Sequence, residues 1–315
     1  MHSRGGSRSL LRVLTMLVVV LAMAALAAAQ AARNSPDLVP TGKGWGVSDA
    51  HAPMRFAKGG GAKPGGSNNG IFYHGGPLML GTPNVYFIWY GNWSGNSATT
   101  LLPTLINDLS GSGYEHINST YYDGSNTHVS GLLGFATANQ ANDSYSRGTA
   151  LSDSDIQAIV AAHCGSLGNC DANGIYFVLT SADVNETSGF CTQYCGWHTH
   201  GTISGKDVKY SFVGNPDRCP SACEWQNPGP NGSGGGDGMA SIIAHESEEA
   251  ISDPDLNAWY DRRGYENADK CAWTFGTTST APNGALYNFT GSSGTEWLIQ
   301  RNWVNAGGGY CAMSY

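Results

Sequence analysis

The chain has 315 residues, only 13% of them charged, with 16 Lys and Arg against 24 Asp and Glu and a formal net charge of −8. Nucleic acid is excluded as a partner, because phosphate binding needs clustered Lys and Arg and no basic stripe follows the first residues. The length suits one large domain or two small ones, and 9 Trp, 15 Tyr and 9 Phe can fill a sizeable core.

His2, Arg4, Arg8 and Arg12 precede an unbroken apolar run over 16–29 that closes on Ala27-Ala28-Ala29 before Gln30. That is the pattern of an export signal, expected over 1–29. The run is shorter than the roughly 20 residues of a spanning helix, so no stable membrane anchor is expected. Residues 30–70 are polar and rich in Gly and Pro; such a segment cannot bury enough surface to offset its chain entropy and reads as a flexible leader. The folded part is expected over 71–315.

Asn84–Tyr90 and Gly174–Thr180 are rich in β-branched and aromatic residues and read as buried strands. Between them, 99–109 carries leucines at helical spacing with Pro103 inside, and 152–162 is a second helix opened by Ser152-Asp153. Lys206–Val213 alternates and reads as a half-exposed strand. Strand-like patches follow at 285–289 and 297–304. The order predicts an α+β single domain with a mixed β-sheet.

All eight cysteines lie in the second half of the chain. An even number behind an export signal reads as disulfides, so a disulfide-stapled domain is expected. Three close pairs (164/170, 191/195 and 219/223) could close local loops and leave Cys271 to meet Cys311. Asn92, Asn118, Asn142, Asn185, Asn231 and Asn288 head Asn-x-Ser/Thr acceptors, expected at the surface where they carry glycans.

The chemistry concentrates in one predicted helix. A glycine-rich lead-in over 232–236 precedes Asp237, a plausible N-cap, and Pro254 bars Asp253 from helical backbone, so the helix ends near Ser252. On its wheel Met239, Ile242, Ile243 and Ala250 form an apolar stripe with Glu246 in the middle. A carboxylate buried there unpaired costs several kcal/mol, so it must meet a cation, a proton or a strong donor. His245 and Glu249 stand four apart on the stripe's edge. That spacing is the ligand-Glu-x-x-ligand layout of zinc peptidases, with Glu249 in place of the second histidine, which makes this a zincin-like active helix. Zn²⁺ is then expected on His245, Glu249 and a third ligand. Glu266 is favoured for that place, with Asp269 orienting His245 from behind; Asp269 is the other candidate. Glu246 would take the proton of the metal-bound water.

The competing reading is an ordinary i,i+4 surface pair at 245 and 249. His198 and His200, close to a cysteine, read as hydrogen-bonded structural groups. Asp253, Asp255, Asn257 and Asp261 alternate like a calcium loop, but Ala258 stands where glycine is needed and Gly264 where a bidentate Glu is needed. No Gly-x-Ser-x-Gly elbow or phosphate-cradling loop occurs.

Several stretches resemble the EXORDIUM-like, or phosphate-induced protein 1, family of secreted proteins. They are Tyr73-His-Gly-Gly-Pro-Leu-Met79, Asn84-Val-Tyr-Phe-Ile-Trp-Tyr-Gly-Asn92 and Tyr176-Phe-Val-Leu-Thr-Ser-Ala-Asp-Val184. Phe190-Cys-x-x-x-Cys195-Gly-Trp-His198, Val213-Gly-Asn215 with Cys219 and Cys223, and Asp237-Gly-Met239 continue the match in order. The resemblance covers 71–315 and implies a cell-wall or apoplastic protein linked in plants to growth and carbon status, with no established biochemical activity. His245-Glu-Ser-Glu-Glu249 resembles microbial or algal-type relatives that look like divergent zinc peptidases. Two functions are therefore expected. One is a zinc-dependent, peptidase-type hydrolase acting on an extracellular peptide. The other is a non-catalytic protein that binds a cell-wall polymer or serves growth signalling.

Overall fold

The central sheet has five strands: β1 Asn84–Tyr90, β2 Gln140–Asp143, β3 Gly174–Thr180, β4 Gly196–Ile203 and β5 Lys206–Val213. Their order is β2-β1-β3-β5-β4, parallel except that β4 runs antiparallel to β5. The expected mixed sheet is present in this computed structural model, which describes residues 39–43 and 70–315. The expected export signal over 1–29 lies outside the described residues.

A parallel strand covered on both faces has no solvent side to mark with polar residues, which is why β1 and β3 are continuous apolar runs. Every residue of β3 is buried. β5 departs from the half-exposed expectation. Only its first two residues are partly exposed, because the strand sits between β3 and β4 and packs against two helices. β2, Gln-Ala-Asn-Asp, carries no apolar signal; it is a strand because β1 offers it an edge.

Three helices flank the sheet. Helix α1, Ala98–Leu109, buries Leu102, Leu105, Ile106 and Leu109 completely. Helix α2, Asp153–His163, opens on a capping box: the Ser152 hydroxyl accepts the Asp155 amide at 3.3 Å, and the Asp155 carboxylate accepts the Ser152 amide at 2.9 Å. Helix α3, Gly234–Ser252, ends where Pro254 requires. Asp237 is not its N-cap. The helix starts one turn earlier, and the Asp237 carboxylate reaches back to the amides of Asn231 and Ser233, each at 3.1 Å.

α3 is the central helix. It packs against α1, β4 and β5, and all its residues except Gly234 and Gly238 are buried. The apolar stripe therefore does not divide inside from outside. Contact with β4 is closest at Gly196, where a Cβ would fall 2.6 Å from the Ile242 side chain and 3.1 Å from a Glu246 oxygen. The C-terminal carbonyls of α3 are held by buried amides. Asn118 and Asn267 both donate to the Glu248 carbonyl, at 3.0 and 3.1 Å, and Asn267 also donates to Ser252 Oγ at 2.9 Å.

On that face of α3, Glu248 meets Glu115, both with no exposed surface. Burial pushes the Glu115 carboxyl up to about 8, and burial together with the charge of Glu115 pushes Glu248 well above the carboxylate range. A carboxyl held above its unfolded value binds its proton more tightly when folded. Its contribution is full below pH 4.5 and is lost as pH rises to about 8. Between pH 5 and 8 the wild type should therefore lose about 5 °C of Tm relative to Glu115→Gln. Parallel melts of the two proteins would contradict this.

The disulfides are Cys164–Cys170, Cys191–Cys219, Cys195–Cys223 and Cys271–Cys311. The first and last agree with the local-loop expectation. The middle two correct it. The turn that enters β4 lies beside the short helix Pro220–Cys223, so each cysteine meets a partner across the gap, with Cα atoms 5.8 and 5.6 Å apart.

Of the glycan acceptors, Asn92, Asn142 and Asn231 are exposed. Asn118 is not; it is fully buried and hydrogen-bonded to α3, which corrects the surface expectation for that site. Part of the expected leader is also packed. Pro40 and Gly42 are buried, and the Gly42 carbonyl accepts the His198 amide at 3.1 Å. Eight tryptophans fall among the described residues; seven are buried and Trp225 is half-buried, so they fill the core. No helix among the described residues is long and apolar enough to cross a membrane.

Candidate metal centre

Three segments converge under α3. One helical turn of α3 places His245 and Glu249 side by side, with Nε2 to Oε1 at 3.1 Å. Both side chains are 3% exposed, so this is no surface pair. The segment after α3 brings Glu266 and Asp269, and both arrive. Asp269 Oδ1 lies 3.7 Å from His245 Nε2, and the Asp269 amide donates to Glu249 Oε1 at 2.8 Å. Glu266 sits on the other side of Glu249, against His198 from β4, at 3.1 Å from Nε2 to Oε1. His198 Nε2 is also 3.7 Å from Glu249 Oε2.

The two carboxylates lie against different imidazoles: Asp269 faces His245, and Glu266 faces His198. The structural reading of His198 captured its hydrogen bond to Glu266 but not its place beside Glu249. Its one sequence signal is an inward position on an extended segment; nothing local reveals that α3 lies across it. His200 stays apart, paired with Asp207 at 2.8 Å and 3.6 Å from Asp255. The four oxygen-bearing residues of the calcium-like pattern diverge. Asp253 caps the turn by accepting the Asn257 and Ala258 amides at 2.6 and 2.5 Å, whereas Asp255 meets Lys209 and Asp261 meets Lys270.

Glu246 is 2% exposed, and its Oε2 has no hydrogen-bond partner among the described residues. Burial, then the charges of Glu249 and Asp269, push it well above the carboxylate range against the pull of His245. Burial likewise raises Glu266 well above that range, with Glu249, Asp253, Asp269 and Glu246 adding to it. Asp253 is raised to about 7 by burial, opposed by the two amides it accepts. Burial lowers His198 to about 4 and leaves it a neutral imidazole, the form that binds a metal. For His245 burial also lowers, but Glu249, Asp269 and Glu246 outweigh it and hold the ring well above its ordinary value. A carboxylate-crowded volume of this kind needs cations or protons to be tolerated.

The residue types fit a zinc-class ion, since imidazole nitrogen and carboxylate oxygen both ligate it. One detail differs from most such sites: neither His198 Nδ1 nor His245 Nδ1 has a hydrogen-bond partner among the described residues, so packing orients the rings. The centre is closed. A polar cleft of about 630 Å³ does open on the surface, lined by Asn185, Glu186, Thr187, Phe190 and Arg218 among others, but no residue of the centre lines it.

Comparison with known proteins places residues 71–313 in the "Phosphate-induced protein 1 conserved region". Protein EXORDIUM-like 5 of Arabidopsis thaliana is 33% identical over 76% of this chain and 77% of its own length. Protein EXORDIUM-like 3 of the same plant is 32% identical over 73% and 79%. Protein PHOSPHATE-INDUCED 1 of Nicotiana tabacum is 27% identical over 74% and 84%. No solved structure matches the chain.

Proposed function

Since the chain belongs to the phosphate-induced protein 1 family, we propose that it works outside the cell as a non-catalytic protein that binds a wall polymer or a peptide partner. The observation that carries this reading is the burial of the whole motif. A metal hydrolase keeps an open coordination position through which substrate reaches the bound water. Here His198, His245, Glu246, Glu249 and Glu266 are at most 3% exposed, and β4 lies against Glu246 at Gly196. The apolar run after the basic N-terminus and four disulfides support export. The polar cleft beside Arg218 offers a binding surface that the core tryptophans do not.

A zinc-dependent peptidase is the second reading, favoured by one observation: His245, Glu246 and Glu249 hold ligand, base and ligand at the spacing such an enzyme needs. One experiment separates the two. The secreted chain, incubated with Zn²⁺, is assayed on denatured casein and on insoluble wall glycans. Retention on glycan without cleavage is expected, weakened by Arg218→Glu. Casein cleavage that disappears in Glu246→Gln would establish the hydrolase instead.

A further inference from the structure

Five carboxyl groups and two imidazoles share one buried volume: Glu246, Glu249, Asp253, Glu266, Asp269, His198 and His245. We propose that this volume is a two-cation centre in which Glu249 bridges the ions, one carboxyl oxygen to each. His198 and Glu266 complete one site, and His245 and Asp269 complete the other.

The distances carry the assignment. Two ligands on one tetrahedral zinc, at roughly 2.0–2.2 Å from it, lie about 3.3–3.6 Å apart. The histidine-to-carboxylate separations are 3.1 and 3.7 Å around His198 and 3.1 and 3.7 Å around His245. Hydrogen bonding accounts for only half of this set. Each Nε2 can donate one hydrogen, which serves the oxygen at 3.1 Å and leaves the one at 3.7 Å beyond bonding range. A shared ion accounts for both oxygens around each ring.

Buried oxygens without donors point the same way. Asp269 Oδ1 faces His245 Nε2 and has no hydrogen-bond partner among the described residues; Glu246 Oε2 and Asp253 Oδ2 also have none. Leaving such an atom unpaired carries its full desolvation penalty, larger still where it is charged. Charge bears on the number of ions. One divalent ion would leave most of the five carboxylates uncompensated. Two offset four of them. One imidazole in each set favours a zinc-class ion over calcium or magnesium, which take all-oxygen shells. The ions would tie β4, α3 and the 266–269 segment together, so binding and folding are linked. None of this depends on whether the chain is catalytic, and a metal count reads neither cleavage nor glycan retention.

The test uses the full secreted chain with its disulfides intact, dialysed against Zn²⁺ and then against buffer. Native mass spectrometry and elemental analysis should count about two zinc ions per chain, and a chelator should lower Tm by about 10 °C. Glu266→Gln and Asp269→Asn should each keep about one ion, and Glu249→Gln none. Because these variants can fail to fold, the stripped wild type is also titrated with Co²⁺. Visible absorption rising to two equivalents supports the two-ion centre. Saturation at one equivalent, refilling by Ca²⁺ in preference to Zn²⁺, or a Tm indifferent to the chelator overturns it.

Discussion

Replacing Cys195 and Cys223 together by alanine is expected to destabilise the chain by about 2–3 kcal/mol. The bridge spans 28 residues, but Cys191–Cys219 still closes nearly the same loop in this variant, so the unfolded chain gains only the freedom of the short ring between the two bridges. By the same relation Cys164–Cys170, closing six residues, contributes about 2 kcal/mol. Packing adds to the difference. Cys195 and Cys223 are essentially fully buried, and Cys195 precedes Gly196, where α3 rests on β4. The loss should appear in urea melts as a lower midpoint with a somewhat steeper slope, because the unfolded chain with one bridge fewer is less compact. A non-reducing peptide map checks the premise. It should yield one fragment pair joining 191–195 to 219–223, and release of 191–195 as a free closed loop would refute the crossed pairing.

Asp108→Ala is expected to cost about 3–5 kcal/mol, the range for stripping a buried carboxylate from its donors. Asp108 is 2% exposed near the end of α1 and receives the Ser293 amide at 2.8 Å, Ser293 Oγ at 2.7 Å and Trp297 Nε1 at 3.0 Å. Ser292 Oγ adds a longer bond at 3.3 Å. This side chain is one of several groups that fasten the irregular C-terminal region to the helices, beside the Gln300 amide on Ser241 and the Asn302 side chain on Glu248. Trp297 has no exposed surface, so its indole N–H would lose its acceptor with no water to replace it. Asp108→Asn keeps one acceptor oxygen and should lose about half as much. Urea melts of the two variants beside wild type measure this, and an Asp108→Ala midpoint equal to that of wild type would refute it.

How much could be read in advance differed from element to element. β1 and β3 coincide with the predicted ranges because a strand buried on both faces leaves an uninterrupted apolar run. The Ser152 start of α2 and the Pro254 stop of α3 are local chemistry and were equally legible. β2 was not, since an edge strand of Gln-Ala-Asn-Asp owes its conformation to β1. Asp237 misled because a good cap residue can also serve one turn inside a helix, bonding backwards to the lead-in.

The candidate centre divides along the same line. His245 and Glu249 are one helical turn apart, so their meeting follows from helix geometry alone, and the chain by itself determined it. The burial of Glu246 was likewise legible from the wheel, whereas that of Glu248 and Glu249 was not, because α3 is covered on all sides. The local sequence motifs carried the family too, which the match over 71–313 bears out. Only the tertiary structure decided that Glu266 and Asp269 both arrive, on opposite oxygens of Glu249, and that His198 stands beside them. It also decided which cysteines pair across the entrance to β4. The physical reason is common to both: periodicity reports where a side chain points along its own element, whereas convergence depends on how distant elements are packed against each other.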